Sequence, residues 1–290
     1  MKKILLITAL VLMSAVLLCG CNTKTAPDTP EYLYTTYNLD GENFITLTKY
    51  IGKKTEVTVP AVLVGLTVTE VGANCFAESA VVSVTVPNSI LVIESGAFSK
   101  CTALTSVTLP DKMLYVGPQA FAECSSLKEI TLPSTGITEY SASLFLGSAV
   151  EKVILPEGME IIPASTFFAS NLKEITLPST VKRVDDNAFA GCANLVSVKL
   201  NEGLTTIGDY VFMSCTSLTE IVIPASVETL TESAFIRCNS LSKVMFEGNA
   251  TAFKVEGASF TESPNYTVYY HAGAEGFTSP EWEGFTTELW

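Results

Sequence analysis

From Leu104 to Leu127 the sequence reads LTSVTLPDKMLYVGPQAFAECSSL, and most of the chain copies it. Apolar residues fall on Val107 and Leu109, and Pro110 follows them. Met113 and Val116 come next, then the pair Ala120-Phe121, then Cys124, and the pattern restarts at Leu127, 23 residues after Leu104. The first part alternates with period two, which predicts a short strand. Pro110 ends it, because proline has no N–H for a sheet ladder. The Ala-Phe-x-x-Cys part predicts a tight return segment. One such unit cannot bury its own apolar face, so each needs a stacked copy on either side.

The units begin near Lys54, Val81, Leu104, Leu127, Val150, Leu172, Leu195 and Leu218, with a truncated one at Leu241. Pro60, Pro87, Pro110, Pro133, Pro156, Pro178 and Pro224 end the strands, and Asn201 holds the remaining slot. Phenylalanine recurs once per unit, at Phe76, Phe98, Phe121, Phe145, Phe167, Phe189, Phe212 and Phe235. Strands stacked about 4.8 Å apart would then make a body on the order of 40 Å long, with the phenylalanines piled into an internal aromatic ladder. Two adjoining units between Thr135 and Leu172 break the spacing: one gains a residue before Phe145, the other loses one between Ala169 and Leu172. Loop drift and a local bend shaped for a partner are the two readings.

The resemblance carried by these residues is to the BspA-like class of leucine-rich repeats of bacterial surface proteins, whose unit reads L-x-x-I-x-I-P, an I-G turn, then A-F-x-x-C. Ile93, Val116 and Ile207 hold the slot before the turn, and Gly117 and Gly208 follow two of them. The match runs from about Tyr34 to the C-terminus. The commoner leucine-rich consensus, with Asn or Cys eight residues after the first Leu, is not followed, since Lys112 and Ser226 stand there. The resemblance implies a right-handed, mainly β solenoid with one short parallel strand per repeat. It also implies a role in adhesion to host matrix, host cells or other bacteria.

The ends depart from the repeat. Lys2 and Lys3 followed by the apolar run Ile4–Leu18 have the anatomy of an export signal over residues 1–20, too short for a comfortable membrane span. It closes on Leu18-Cys19-Gly20-Cys21, which resembles the lipobox of bacterial lipoproteins and implies diacylglyceryl attachment at Cys21. An ordinary signal peptide with two incidental cysteines is the bland alternative. Residues 21–30, with two prolines and no apolar periodicity, read as the lipidated Cys and a tether. Residues 31–53 read as an N-terminal cap, with YLYTTYNL and FITLT joined at Asp40-Gly41 as a hairpin. Residues 54–248 are the solenoid and 249–290 a C-terminal cap. In that cap Tyr266–Tyr270 is the closing strand, and Trp282, Phe285 and Trp290 cover the last layer; an exposed aromatic tip is the alternative. The expected location is extracytoplasmic, lipid-anchored at the bacterial surface.

Chemistry has little to work with. Of eight cysteines, Cys19 leaves with the signal, and Cys101, Cys124, Cys192, Cys215 and Cys238 share one repeat slot. Ser79, Ser148 and Ser170 hold that slot elsewhere, so it asks for a small, weakly polar, buried residue. Free thiols are the reading, although stacked pairs such as Cys101 and Cys124 fall near disulfide distance. The absence of C-x-x-C argues against zinc. His271 is the one histidine, no G-x-S-x-G surrounds a serine, and no phosphate-binding glycine loop is present. Asp185-Asp186-Asn187 reads as a solvated turn. No catalytic, cofactor or metal residue is assigned. The formal net charge of −13, or −15 once Lys2 and Lys3 are removed, repels nucleic acid.

What remains is the outward face of the strands. Ser106, Thr108, Glu129, Thr131, Lys152, Glu174, Thr176, Ser197, Lys199, Glu220 and Lys243 alternate with the buried positions. They form the candidate binding face for a protein or glycan, presented by a monomer that touches the membrane only through Cys21. A self-associating structural lipoprotein is the rival reading.

Overall fold

The computed structural model describes residues 31–134, 140–230, 234–250, 254–255, 267–282 and 285–290. Cys21, the export signal, the tether and residues 135–139 of the irregular unit lie outside these. The chain winds as a right-handed β-solenoid of about ten turns, with no α-helix among the described residues, and the sequence repeat is the repeat of the coil.

It opens with a hairpin. Strands β1 (Tyr32–Leu39) and β2 (Glu42–Tyr50) pair antiparallel, closing Leu39 on Glu42. Asp40 and Gly41 take positive φ there, which Gly and Asp tolerate best. The first solenoid strand is β3 (Glu56–Thr58); β4 (Val62–Leu63) and β5 (Leu66–Val71) make a small second hairpin, and β5 lies parallel to β2. From there each turn has three sides.

The first side is the short strand read from the sequence, such as Ser83–Thr85, Ser106–Thr108, Glu129–Thr131 and Glu174–Thr176. Neighbours pair in parallel, in register, so Val57, Val84 and Val107 share one inward row. The second side is a two-residue strand that the sequence reading treats only as a slot before the turn. Val92–Ile93 pairs Tyr115–Val116, and Ile161–Ile162, Arg183–Val184, Thr206–Ile207 and Thr229–Leu230 form a second parallel stack. The third side is the Phe segment. It is no strand, yet it is laddered: Asn74, Phe76 and Glu78 donate their N–H to the carbonyls of Ser95, Ala97 and Ser99 one turn on. Every side therefore gives its backbone groups a partner in the next turn, which is what lets a coil this thin stay dry inside.

The Phe segment turns so sharply because, from Phe76 to Phe212, residues two before and two after each Phe adopt left-handed backbone. The pairs are Asn74/Glu78, Gly96/Lys100, Gln119/Glu123, Ser143/Gly147, Ser165/Ala169, Asn187/Gly191 and Tyr210/Ser214. Only some of these are the glycine or asparagine that such φ values favour. Lys100, exposed at φ 58, holds the position that Gly191 fills four units further on. Lys100→Gly is expected to stabilise the fold by about 0.5–1 kcal/mol, since relief of left-handed strain exceeds the added chain entropy. A rise in the denaturant midpoint checks it; a fall would show that the lysine stem packs usefully.

The aromatic ladder runs down the axis. From Phe76 to Phe235 each ring stacks on the next, with centroids 5.1 to 5.8 Å apart and planes within 4° to 16°. The widest step, 5.8 Å, is Phe121 to Phe145, where the unit gains its residue. The inserted length is thus taken up before the ring, and the ladder continues. At the N-terminal end Tyr50 stacks on Phe76 at 5.0 Å and Tyr32 closes against both. These cap tyrosines are the ladder's first rungs, a role invisible in a pattern built on Phe.

The buried thiols complete the core. Cys75, Cys101, Cys124, Cys192, Cys215 and Cys238 are free and buried. Each Cys of the repeat slot donates its S–H to the Phe carbonyl of the previous turn, Cys124 to Phe98 at 3.1 Å and Cys238 to Phe212 at 3.0 Å. That explains why the slot takes Cys or Ser: it wants a small donor aimed at one carbonyl. Asn201, in the proline slot, spends its amide on the carbonyls of Ser179 and Val181.

The C-terminal end corrects the expectation for its last strand. Thr267–Tyr270 does not close the sheet: Phe285–Leu289 adds a further parallel strand, and Glu281–Trp282 lies antiparallel on that one's edge. Trp282 is buried against Phe246 and Phe277, and Phe285 is half-buried, as a cap requires. Trp290 instead lies outside, 45% exposed and tilted against His271, with ring centroids 4.6 Å apart.

Candidate binding face

The in-register pairing sets the outward residues of the first side in columns. One column holds Ser83, Ser106, Glu129, Lys152, Glu174, Ser197, Glu220 and Lys243; the next holds Thr85, Thr108, Thr131, Ile154, Thr176, Lys199, Val222 and Met245. All eleven residues expected on the face are exposed. Cross-strand neighbours are Glu129 with Lys152, Glu174 with Ser197, and Glu220 with Lys243. Ile154 adds an apolar side chain, 47% exposed, between Thr131 and Thr176.

A third column escaped the sequence reading. Strict alternation puts residues 105 and 107 on the same side, yet Thr105 is exposed while Val107 packs on the core. The cause lies at the strand entry, where one carbonyl takes two successive N–H groups: Val82 from Thr105 and Ser106, Lys128 from Glu151 and Lys152, and Lys173 from Val196 and Ser197. Thr105, Lys128, Glu151, Lys173, Val196, Thr219 and Ser242 therefore line the face as well. A period-two pattern cannot show such a break in alternation.

Charge is used differently in the two charged columns. In the entry column Glu151 is clamped by Lys173 at 2.6 Å and Lys128 at 3.0 Å, and these hydrogen bonds hold its carboxyl below the usual carboxylate range. In the neighbouring column Glu129, Lys152, Glu174, Glu220 and Lys243 enter no ion pair among the described residues. Their heads remain in water, on a backbone held rigid by the ladders. The surface depression along this face, lined by Ser106, Thr108, Asp111, Glu129 and Thr131, is shallow and open. It suits an extended surface contact rather than enclosure of a small substrate.

The groups that could do chemistry are spent elsewhere. Asp185 pairs with Arg183 at 2.5 Å, and Asp186 accepts the Asp209 N–H at 2.9 Å. His271 lies tilted against Trp290 at the far end. Burial pushes the thiols up, Cys192 to about 11 and Cys75, Cys124 and Cys238 to about 12, so none is a ready nucleophile. Among the described residues no group of three His, Cys, Asp or Glu side chains could hold a metal ion.

A three-sided coil with a Phe ladder, a Cys/Ser slot and a proline-ended strand is a leucine-rich-repeat solenoid. The model of the BspA type leucine rich repeat region matches in six copies over residues 57–170 and 138–267, and the chain belongs to this family. Among solved structures it is similar to the T. pallidum leucine rich repeat protein, at 30% identity and TM-score 0.58, over 66% of this chain and 91% of that one. It is also similar to a leucine-rich repeat protein from Bacteroides ovatus, at 24% identity and TM-score 0.61, over 85% of this chain and 71% of that one, a likeness of fold. No curated protein matches the chain.

Proposed function

We propose that this chain is a non-enzymatic binding protein, exported and lipidated at Cys21, that holds a protein or glycan on the sheet face at a bacterial surface. The observation that carries the reading is the column of unpaired charged heads beside a column of threonines, in register on a rigid ladder. Rigidity matters because a partner then pays little ordering entropy on this side. The lipobox supports the location, and a diacylated Cys carries the two chains that stable anchoring takes.

The test is a pull-down of surface extracts from host tissue and co-resident bacteria, beside the variant Glu129→Gln/Glu174→Gln/Glu220→Gln. A partner on this face is expected to bind at least tenfold more weakly to the variant, about 1.4 kcal/mol. The thermal midpoint should stay put, because all three side chains are exposed. Unchanged binding would move the site to the convex surface or the caps.

Self-association is the second reading, and β1 favours it. Among the described residues this strand pairs with β2 alone, and YLYTTYNL contains neither charge nor proline to guard its outer edge. A monomer at high concentration in light scattering would dispose of it.

A further inference from the structure

Exposed large apolar side chains are unevenly placed along this chain. Ten stand out among the described residues, and five of them, Leu33, Tyr34, Ile51, Val62 and Val64, fall between positions 33 and 64. The other five are spread over the remaining turns and the C-terminal end. Val62 and Val64 belong to the small β4–β5 hairpin, whose Thr67 lies beside Phe44. That is about 20 Å along β2 from Ile51, so they form a separate site. Leu33 and Ile51 form a patch of their own at the other end.

The hairpin register puts that patch together. Tyr32 and Tyr50 are cross-strand partners turned inward to the aromatic ladder. The next pair, Leu33 with Lys49, therefore points outward, and Ile51 follows two residues beyond Lys49. Past the register shift Tyr34 pairs with the inward Leu47, so it lies on the opposite face from Leu33 and is exposed because, among the described residues, β1 pairs with β2 alone. Leu33 is 51% and Ile51 45% exposed. Lys49, Lys53 and Lys54 are exposed around them. Lys54 is paired to Glu31 at 2.7 Å, and Glu78 stands across the adjacent depression from Lys49 and Lys53. Even so, three lysines in six residues are a basic spot on a chain of net charge −13.

The tether says what this spot faces. Only nine residues, Asn22–Pro30, separate Cys21 from Glu31, and fully extended they span at most about 33 Å. Glu31 itself accepts the N–H groups of Ile51 and Gly52, so the chain enters the fold inside the patch. We infer that the Leu33–Ile51 patch, with Lys49 and Lys53, seats on an anionic lipid surface and sets the solenoid upright on the membrane. The inference rests on lipidation of Cys21, proposed above. Apolar side chains enter the headgroup boundary while lysines meet anionic headgroups, the pattern of interfacial binding. Seating the N-terminal cap would also cover the open outer edge of β1 and point the sheet face sideways, clear of the bilayer.

The experiment uses the lipidated full chain on vesicles of phosphatidylglycerol and brominated phosphatidylcholine in equal parts, with flotation run on every sample. Ile51→Trp places an indole in the patch, and Tyr210→Trp places one at a comparably exposed mid-solenoid position. The parent supplies the background of Trp282 and Trp290, on the order of 40 Å away at the far end. With the protein floating, quenching by brominated chains at position 51 but not at position 210 or in the parent is the result expected. Equal quenching at 51 and 210, or none at either, with flotation intact, overturns the seating and leaves the anchor standing. Failure to float, with mass spectrometry showing no diacylglyceryl group, overturns the anchor and the seating together. Should Ile51→Trp misfold, a nitroxide on Leu33→Cys read by relaxation against lipid-bound spin probes gives the same contrast with Tyr210→Cys.

Discussion

Phe121→Ala is expected to destabilise the fold by about 3–5 kcal/mol, the range for deleting a buried aromatic ring and leaving a cavity. Phe121 is fully buried, stacked between Phe98 at 5.4 Å and Phe145 at 5.8 Å. Both neighbours lose a face at once, and the walls cannot collapse, because each turn's backbone is tied to the next on three sides. The cost should therefore sit at the upper end of the range. Thr108→Ala is the control. Thr108 is exposed on the sheet face of the same unit, and its loss should cost within about 0.5 kcal/mol. Urea midpoints of the two variants check this, and equal midpoints would mean that the rings do not bear on one another as stacked. Because solenoid stability is close to a sum over neighbouring turns, the damage should spread locally first. Hydrogen exchange in Phe121→Ala should rise in the turns of Phe98, Phe121 and Phe145 before it rises near Phe212.

Much of this architecture was legible because the repeat reports its own geometry. A Phe at a fixed place in a unit that stacks in register must meet the next Phe, so the ladder followed from spacing alone. The Cys/Ser slot was legible as small and buried. The carbonyl it serves was not, since that carbonyl belongs to the preceding turn. Other features were hidden for definite reasons. Two-residue strands such as Thr206–Ile207 are too short to show alternation. Left-handed positions are legible where Gly or Asn fills them, as at Gly96 and Asn187, but not where Lys100, Gln119 or Tyr210 does. The break in alternation at the strand entry hid Lys128, Glu151 and Lys173 from the face. Past Leu241 the prolines and phenylalanines no longer keep their places in the repeat, so the strand Phe285–Leu289 passed unseen. The candidate binding face is the converse case. Its columns were legible, but which charges are clamped and which are free depends on side chains one turn apart.

The thiols carry the other large effect, a steep loss of stability in alkali. In the native chain burial raises them, to about 11 for Cys192 and about 12 for Cys75, Cys124 and Cys238, with Cys101 and Cys215 raised as well. In the unfolded chain they titrate near the ordinary value of about 8.5. The charged form is thus disfavoured by folding. Stability is fully present below the unfolded value and falls as the pH climbs toward the native one, because the unfolded state then holds fewer protons. Each thiol contributes a slope of roughly 1.4 kcal/mol per pH unit, and six together on the order of 8. Against a total stability of the usual size, unfolding is expected between about pH 9 and 11. Buried tyrosines add to it, Tyr37 being pushed up to about 12 by burial. The thiol share is isolated by changing Cys101, Cys124, Cys192, Cys215 and Cys238 to Ser, the residue the chain itself uses at Ser79, Ser148 and Ser170. Serine keeps a donor for the Phe carbonyl and does not ionise in this range. The substitutions also change packing, so the quantity to compare is the slope of unfolding free energy between pH 8 and 10. A much shallower slope than the parent's is expected. Parallel slopes would show that the cysteines ionise as easily folded as unfolded, and with that the sealed interior described by the ladder would fail.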